Sequence, residues 1–177
     1  DAYEPGSVFK IVTMAAGLDA GKITPETTYV DTGVLKVSGR EIKNWDLKAH
    51  GKITMVNVLE KSVNTGAAFV ERQIGHDLFK KYLEKFGFSE KTGVDLPGEL
   101  GGDLKRLKPN APEIAFATAS FGQGVAVTPL ELINAVSAIA NGGRLMRPYL
   151  NAALEPKEIR RAVSARGSRS PGPCTSG

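Results

Sequence analysis

The sequence predicts a mixed α/β domain, mainly helical with one small antiparallel hairpin, on three observations. Apolar residues recur at helical spacing in several stretches, one of them framed by a full set of helix start and stop signals. Residues 28–45 combine β-branched residues with partial alternation around a Ser38-Gly39 turn signal. And 41% hydrophobic residues in a chain of 177 are enough to bury one core.

The elements follow in order. Val8, Phe9, Ile11, Val12, Met14, Ala15 and Leu18 leave almost no polar face, so a first helix starting near Gly6 is expected to be buried nearly all round and to stop at Gly17 or Gly21. The hairpin comes next. "ITMVNVLEK" and "GAAFVERQI" read as short helices, the second stopped by Gly75, with Ser62-Val63-Asn64 between them. Asp77 is the expected cap of "LFKKYLEKF", where Leu78, Tyr82 and Phe86 share a stripe and Gly87 follows as terminator. Residues 90–110 read as a surface loop, and Gly122-Gln123-Gly124 as a tight turn. In "TPLELINAVSAIANGG", Thr128 is the N-cap, Pro129 the first helical residue and Glu131 the closing member of a capping box, with Gly142-Gly143 as the stop. Residues 167–177 are Gly, Ser and Pro rich and are expected to be a disordered or artefactual tail to a domain spanning residues 1–166.

Charge narrows the function classes. Lys157, Arg160, Arg161, Arg166 and Arg169 against Glu158 account for the whole net charge of +4, leaving the preceding residues neutral overall, which argues against nucleic acid as a partner. Cys174, the single cysteine, excludes an intrachain disulfide and a four-cysteine zinc site. No metal or organic cofactor is indicated. No run of 18 apolar residues is present, and the chain opens on Asp1 without a charged-then-apolar leader, so it reads as an interior piece of a longer protein.

Two patterns can carry chemistry. In "YEPGSVFKIVTMAAGL", Ser7 and Lys10 stand three apart in a first helical turn, on one face. A serine there lies at the positive helix end with its own N–H outside the intrahelical ladder, and a lysine one turn in is desolvated, which lowers its pKa and frees an amine as base. The competing reading is a capping serine and a snorkelling lysine. With ten serines and 14 lysines, about one such pair arises by chance. In "EKSVNTG", Ser62 can relay a proton and Asn64 can hydrogen-bond a peptide group, though both are ordinary loop residues too.

Their order decides between these readings. "YEPGSVFKIVTMAAGLDAGKI", "HGKITMVNVLEKSVNTGAAFV", "FGFSEKTGVDLPGE", "ATASFGQGVAVTPLELINAVSAIANGG" and "RPYL" together resemble the transpeptidase domain of class B penicillin-binding proteins, from about Asp1 to Arg166. The resemblance implies a serine β-lactamase/transpeptidase-like α/β fold, present here mainly as its helical lobe and hairpin, with the central sheet largely missing. It implies that Ser7 is the nucleophile, Lys10 its general base, Ser62 a proton relay and Asn64 a partner of the substrate amide. Trp45 resembles an aromatic at the cleft rim of some members, against the competing reading of a buried or hairpin-packing tryptophan. The implied partners are the D-alanyl-D-alanine end of a peptidoglycan stem peptide, β-lactam antibiotics and other cell-wall synthesis proteins. The implied place is the extracytoplasmic face of a bacterial cytoplasmic membrane, and the text leans towards a division role.

Lys91-Thr92-Gly93 matches the family's third motif by letter but precedes the Gly-Gln-Gly and Thr-Pro segments and runs into Leu96-Pro97-Gly98, a context unsuited to a central strand. The functional third motif is therefore expected beyond Arg166. The isolated piece is accordingly expected to be weakly stable and a weak enzyme at best. A carboxypeptidase or a β-lactam-sensing domain are the nearest rivals, and a β-lactamase is disfavoured because no deacylating glutamate motif follows Asn64.

Overall fold

The computed structural model describes residues 1–165; the expected tail at 167–177 lies outside them. A 3-10 turn, Gly6–Phe9, runs into α1, Lys10–Asp19. Strands β1 (Thr28–Asp31), β2 (Val34–Val37), β3 (Arg40–Lys43) and β4 (Gly51–Thr54) follow. Helices α2 (Met55–Glu60), α3 (Asn64–Ile74), α4 (His76–Lys85), α5 (Glu113–Ala119) and α6 (Pro129–Ala140) make up the body. Strands β5 (Arg144–Met146) and β6 (Glu158–Arg161) close the order. Among the described residues the strands form three separate two-stranded antiparallel pairs and no larger sheet.

The predicted hairpin is β2–β3 alone, turned at Ser38 (φ 48°) and Gly39 (φ 75°), the two positive φ values of a type I′ turn. β1, expected to belong to it, pairs with β4 instead, Tyr29 opposite Ile53. The cause is the Asp31-Thr32-Gly33 corner, where Asp31 Oδ1 accepts from Gly33 N–H at 2.9 Å and Gly33 sits at φ 79°.

α1 packs on α3, α4 and α6, burying Phe9, Val12 and Ala16 completely. It is not covered all round: Val8 is 49% and Ile11 40% exposed, three apart on one open face. Gly17 does not stop α1 but lies inside it, where a Cβ would sit 2.8 Å from methyl groups of both Ile23 and Val70. Its missing side chain lets α1 approach α3, and the helix ends at Asp19 with Gly21 at φ 65° beyond. α4 also departs from expectation, because its N-cap is Gly75 and Asp77 falls inside the first turn, where it meets the positive helix end without capping it. The α6 signals hold as written: Thr128 Oγ1 accepts from Glu131 N–H at 3.2 Å while the Glu131 carboxylate accepts from Thr128 N–H at 2.6 Å.

Candidate active site

The start of the first helix is fixed from outside. Gly6 (φ 61°) donates its N–H to Gly122 O at 3.1 Å, and a Cβ on Gly122 would run into the Gly6 backbone, so only glycine allows the Gly122-Gln123-Gly124 turn to close there. On either side, Gly124 N–H reaches Glu4 Oε1 at 2.9 Å and Tyr3 pairs with Val127 as an isolated antiparallel bridge. Deeper in, Thr13 Oγ1 donates to Ser120 O at 2.8 Å. The tight turn read from sequence at Gly122-Gln123-Gly124 is thus the seat of the helix that carries Ser7.

That seat presents Ser7 to solvent and turns Lys10 inward, 1% exposed. The Lys10 amine has three partners: Ser7 Oγ at 3.0 Å, Ser62 Oγ at 2.9 Å and Ser62 O at 2.7 Å. Burial pushes its pKa down from 10.5 to about 8, because an ammonium loses hydration there. The snorkelling alternative is excluded by this burial, and the capping alternative by the absence of any side-chain cap hydrogen bond on the turn.

Ser62 closes the triangle through an unusual backbone. It follows α2 and precedes the N-cap of α3 at φ 53°, a left-handed conformation that a non-glycine residue adopts at some cost. The result is that both its hydroxyl and its carbonyl face Lys10. Asn64, the first residue of α3, donates Nδ2 to Lys43 O at 2.9 Å, which ties the second motif to the hairpin. Trp45 is 71% exposed and donates its indole N–H to Lys61 O at 3.0 Å, so it is neither buried nor packed into the hairpin but stands beside the second motif. Sequence reasoning therefore named five residues that the fold brings into one neighbourhood. It missed Asp31, Asn44 and Thr65 beneath them, which only long-range hydrogen bonds reveal.

The Lys91-Thr92-Gly93 stretch is part of no strand. Thr92 N–H and Gly93 N–H donate to the Glu99 carboxylate at 2.7 and 3.0 Å, and Arg147 Nε holds Gly93 O at 2.7 Å. It is a self-satisfied surface clasp. Among the described residues no group of three or more His, Cys, Asp or Glu side chains is placed to hold a metal ion.

Solved structures that share this fold place it in the β-lactamase/transpeptidase class. The transpeptidase domain of penicillin-binding protein 3 from Burkholderia pseudomallei superposes with a TM-score of 0.84 at 31% identity, covering 95% of this chain and 51% of that one. The chain belongs to the penicillin-binding protein transpeptidase family, whose domain model matches residues 1–169. Stage V sporulation protein D of Bacillus subtilis is 42% identical over 149 residues, 84% of this chain and 23% of that protein. Penicillin-binding protein PbpB of Mycobacterium tuberculosis is 31% identical over 174 residues, 97% of this chain and 24% of its own length. The chain thus spans about a quarter of these curated relatives.

Proposed function

We propose that this chain carries the nucleophile side of a peptidoglycan D,D-transpeptidase. The observation that supports it most is a buried lysine amine of lowered pKa within 3.0 Å of two serine hydroxyls, one on its own helix and one across from it. Ser7 Oγ attacks the carbonyl carbon between the two D-alanines as its proton passes to Lys10 Nζ. When the C–N bond breaks, that proton moves through Ser62 Oγ to the departing D-alanine amine, leaving an ester on Ser7. An amine of a second stem peptide then attacks the ester, gives up its proton by the same route and frees Ser7, which makes the cross-link. The first-turn N–H of Ser7, outside the intrahelical ladder, is placed to stabilise the oxyanion. Asn64 and Trp45 would border the peptide. A β-lactam presents the same carbonyl and would acylate Ser7 without a rapid second step. The chemistry belongs to the bacterial envelope, outside the cytoplasmic membrane, with other wall-synthesis proteins as partners; the described residues contain no helix long and apolar enough to cross a membrane.

Prolonged incubation with a fluorescent penicillin followed by peptide mass spectrometry tests this reading. One adduct at Ser7, abolished in Ser7→Ala and formed slowly, is expected. An adduct elsewhere, label surviving in Ser7→Ala, or no adduct at all would overturn it. An amine acceptor such as a D-amino acid distinguishes transpeptidation from carboxypeptidation by the product it forms, and an ester that neither water nor amine resolves would identify a β-lactam sensor.

A further inference from the structure

The second motif does not stand alone; three consecutive residues clip it from one side. Lys43 O accepts from Asn64 Nδ2, Asn44 Oδ1 accepts from Thr65 N–H at 3.3 Å, and Trp45 Nε1 donates to Lys61 O. Residues 43, 44 and 45 thereby hold residues 64, 65 and 61, the two flanks of Ser62. The middle member is itself held. Asn44 Nδ2 donates to Asp31 Oδ2 at 2.8 Å and to Lys48 O at 3.0 Å, and both Asp31 and Asn44 are 1% exposed.

Asp31 is the hub of this arrangement. Oδ1 accepts from Gly33 N–H at 2.9 Å and Thr65 Oγ1 at 2.7 Å, and Oδ2 from Asn44 Nδ2 and from His50 N–H at 3.0 Å, with His50 Nδ1 at 2.7 Å. Because the Thr65 hydroxyl proton goes to Asp31, Tyr29 donates its own to Thr65 Oγ1 at 3.0 Å. His50 reaches Asp46 with its other nitrogen at 3.1 Å, closing the loop that carries Trp45. Burial opposes the charged form of Asp31, yet the hydrogen bonds from Thr65, Gly33 and His50 outweigh it and hold the carboxyl below its ordinary range. A carboxylate that collects donors from the corner after β1, the 44–50 loop and the first turn of α3 has more partners than a strand-end turn residue needs.

We propose that Asp31 is a positioning residue for the second motif: by fixing Asn44 and Thr65 it sets where Ser62, Asn64 and Trp45 stand. It touches no reacting atom. In Asp31→Asn one acceptor becomes a donor facing donors, so the clip opens while the apolar body, built elsewhere, stays. The catalytic meaning of the clip rests on the transpeptidase reading, but its mechanics can be measured without it.

The test uses NMR on the 177-residue chain, in which Trp45 is the sole tryptophan and its indole N–H a single resolved reporter. Exchange of the Trp45 indole N–H and the Thr65 amide should accelerate at least about tenfold in Asp31→Asn, the scale of one lost charge-assisted hydrogen bond, and the Asn64 side-chain amide should shift. The Thr128 and Glu131 amides in the α6 cap should not change. Uniform acceleration at all these sites would mean a merely structural residue, and no change would mean no clip; either result overturns the proposal. If Asp31→Asn does not fold, Thr65→Val removes one donor at constant shape and must move the same reporters, or the proposal fails. With a fluorescent penicillin, the maximal acylation rate should fall about tenfold further than initial affinity. Absence of labelling in parent and variant alike would count against the transpeptidase reading and leave the exchange data to judge Asp31.

Discussion

The pH dependence of Lys10 is the sharpest consequence of the site. An ordinary lysine at 10.5 is unprotonated in about 1 molecule in 3,000 at pH 7, whereas at about 8 the fraction is about a tenth, roughly a 300-fold gain in free base. Acylation of Ser7 should therefore rise about tenfold between pH 7 and pH 9 and level off, with its midpoint near 8. The same shift has a stability side. The unfolded chain keeps the lysine proton up to its ordinary value, while the folded chain releases it at about 8, so stability should climb with pH across that interval. Lys10→Met, which removes the buried amine at similar volume, should label no longer and lose that climb. Direct titration by NMR of the carbon next to Nζ, alongside acylation rates from pH 6.5 upward, measures both. A Lys10 midpoint at its ordinary value, or a flat acylation profile with Lys10→Met still labelling, would refute the reasoning.

Two further outcomes are expected away from the chemistry. Gly17→Ala places a Cβ 2.8 Å from Val70 and Ile23 methyl groups, so a loss of about 1–3 kcal/mol in denaturant unfolding is expected from prising α1 off α3; an unchanged midpoint would show that the interface yields. Glu71 is fully buried, with Oε1 2.7 Å from His76 Nδ1 and no hydrogen-bond partner for Oε2 among the described residues. Burial raises its pKa, and the His76 hydrogen bond and charge only partly oppose this. The folded carboxyl holds its proton to higher pH than the unfolded one, so stability should fall as pH rises from the ordinary carboxylate range through the raised value. Thermal melts across pH should show that decline in the parent and not in Glu71→Gln.

How much was legible follows from the range over which each feature is encoded. The α6 cap needs only Thr128, Pro129 and Glu131, all within one turn, and reads directly. Ser7 and Lys10 are as local, but their meaning came from the order of distant text. By contrast the β1–β4 pairing and the hub at Asp31 join residues on separate segments through main-chain and side-chain bonds, which no periodicity records. Helix α5 escaped because seven residues after a proline hold too few turns for a pattern. Trp45 could not be assigned an exposed or packed position from its letter alone, since the deciding partner is the carbonyl of Lys61, which every residue type could have supplied.

If the transpeptidase reading holds, the contact between Gly6 and Gly122 gives the protein a form of quality control over its reactivity. Those two glycines are 116 residues apart in sequence, so their meeting belongs among the entropically expensive closures of folding. Before it forms, the first turn is unanchored, Lys10 is hydrated and keeps its proton, and Ser7 is an ordinary alcohol. On the transpeptidase reading a nascent or partly unfolded chain would carry no activated nucleophile to be spent on stray acyl donors, and acylation competence would itself report that the two segments have met.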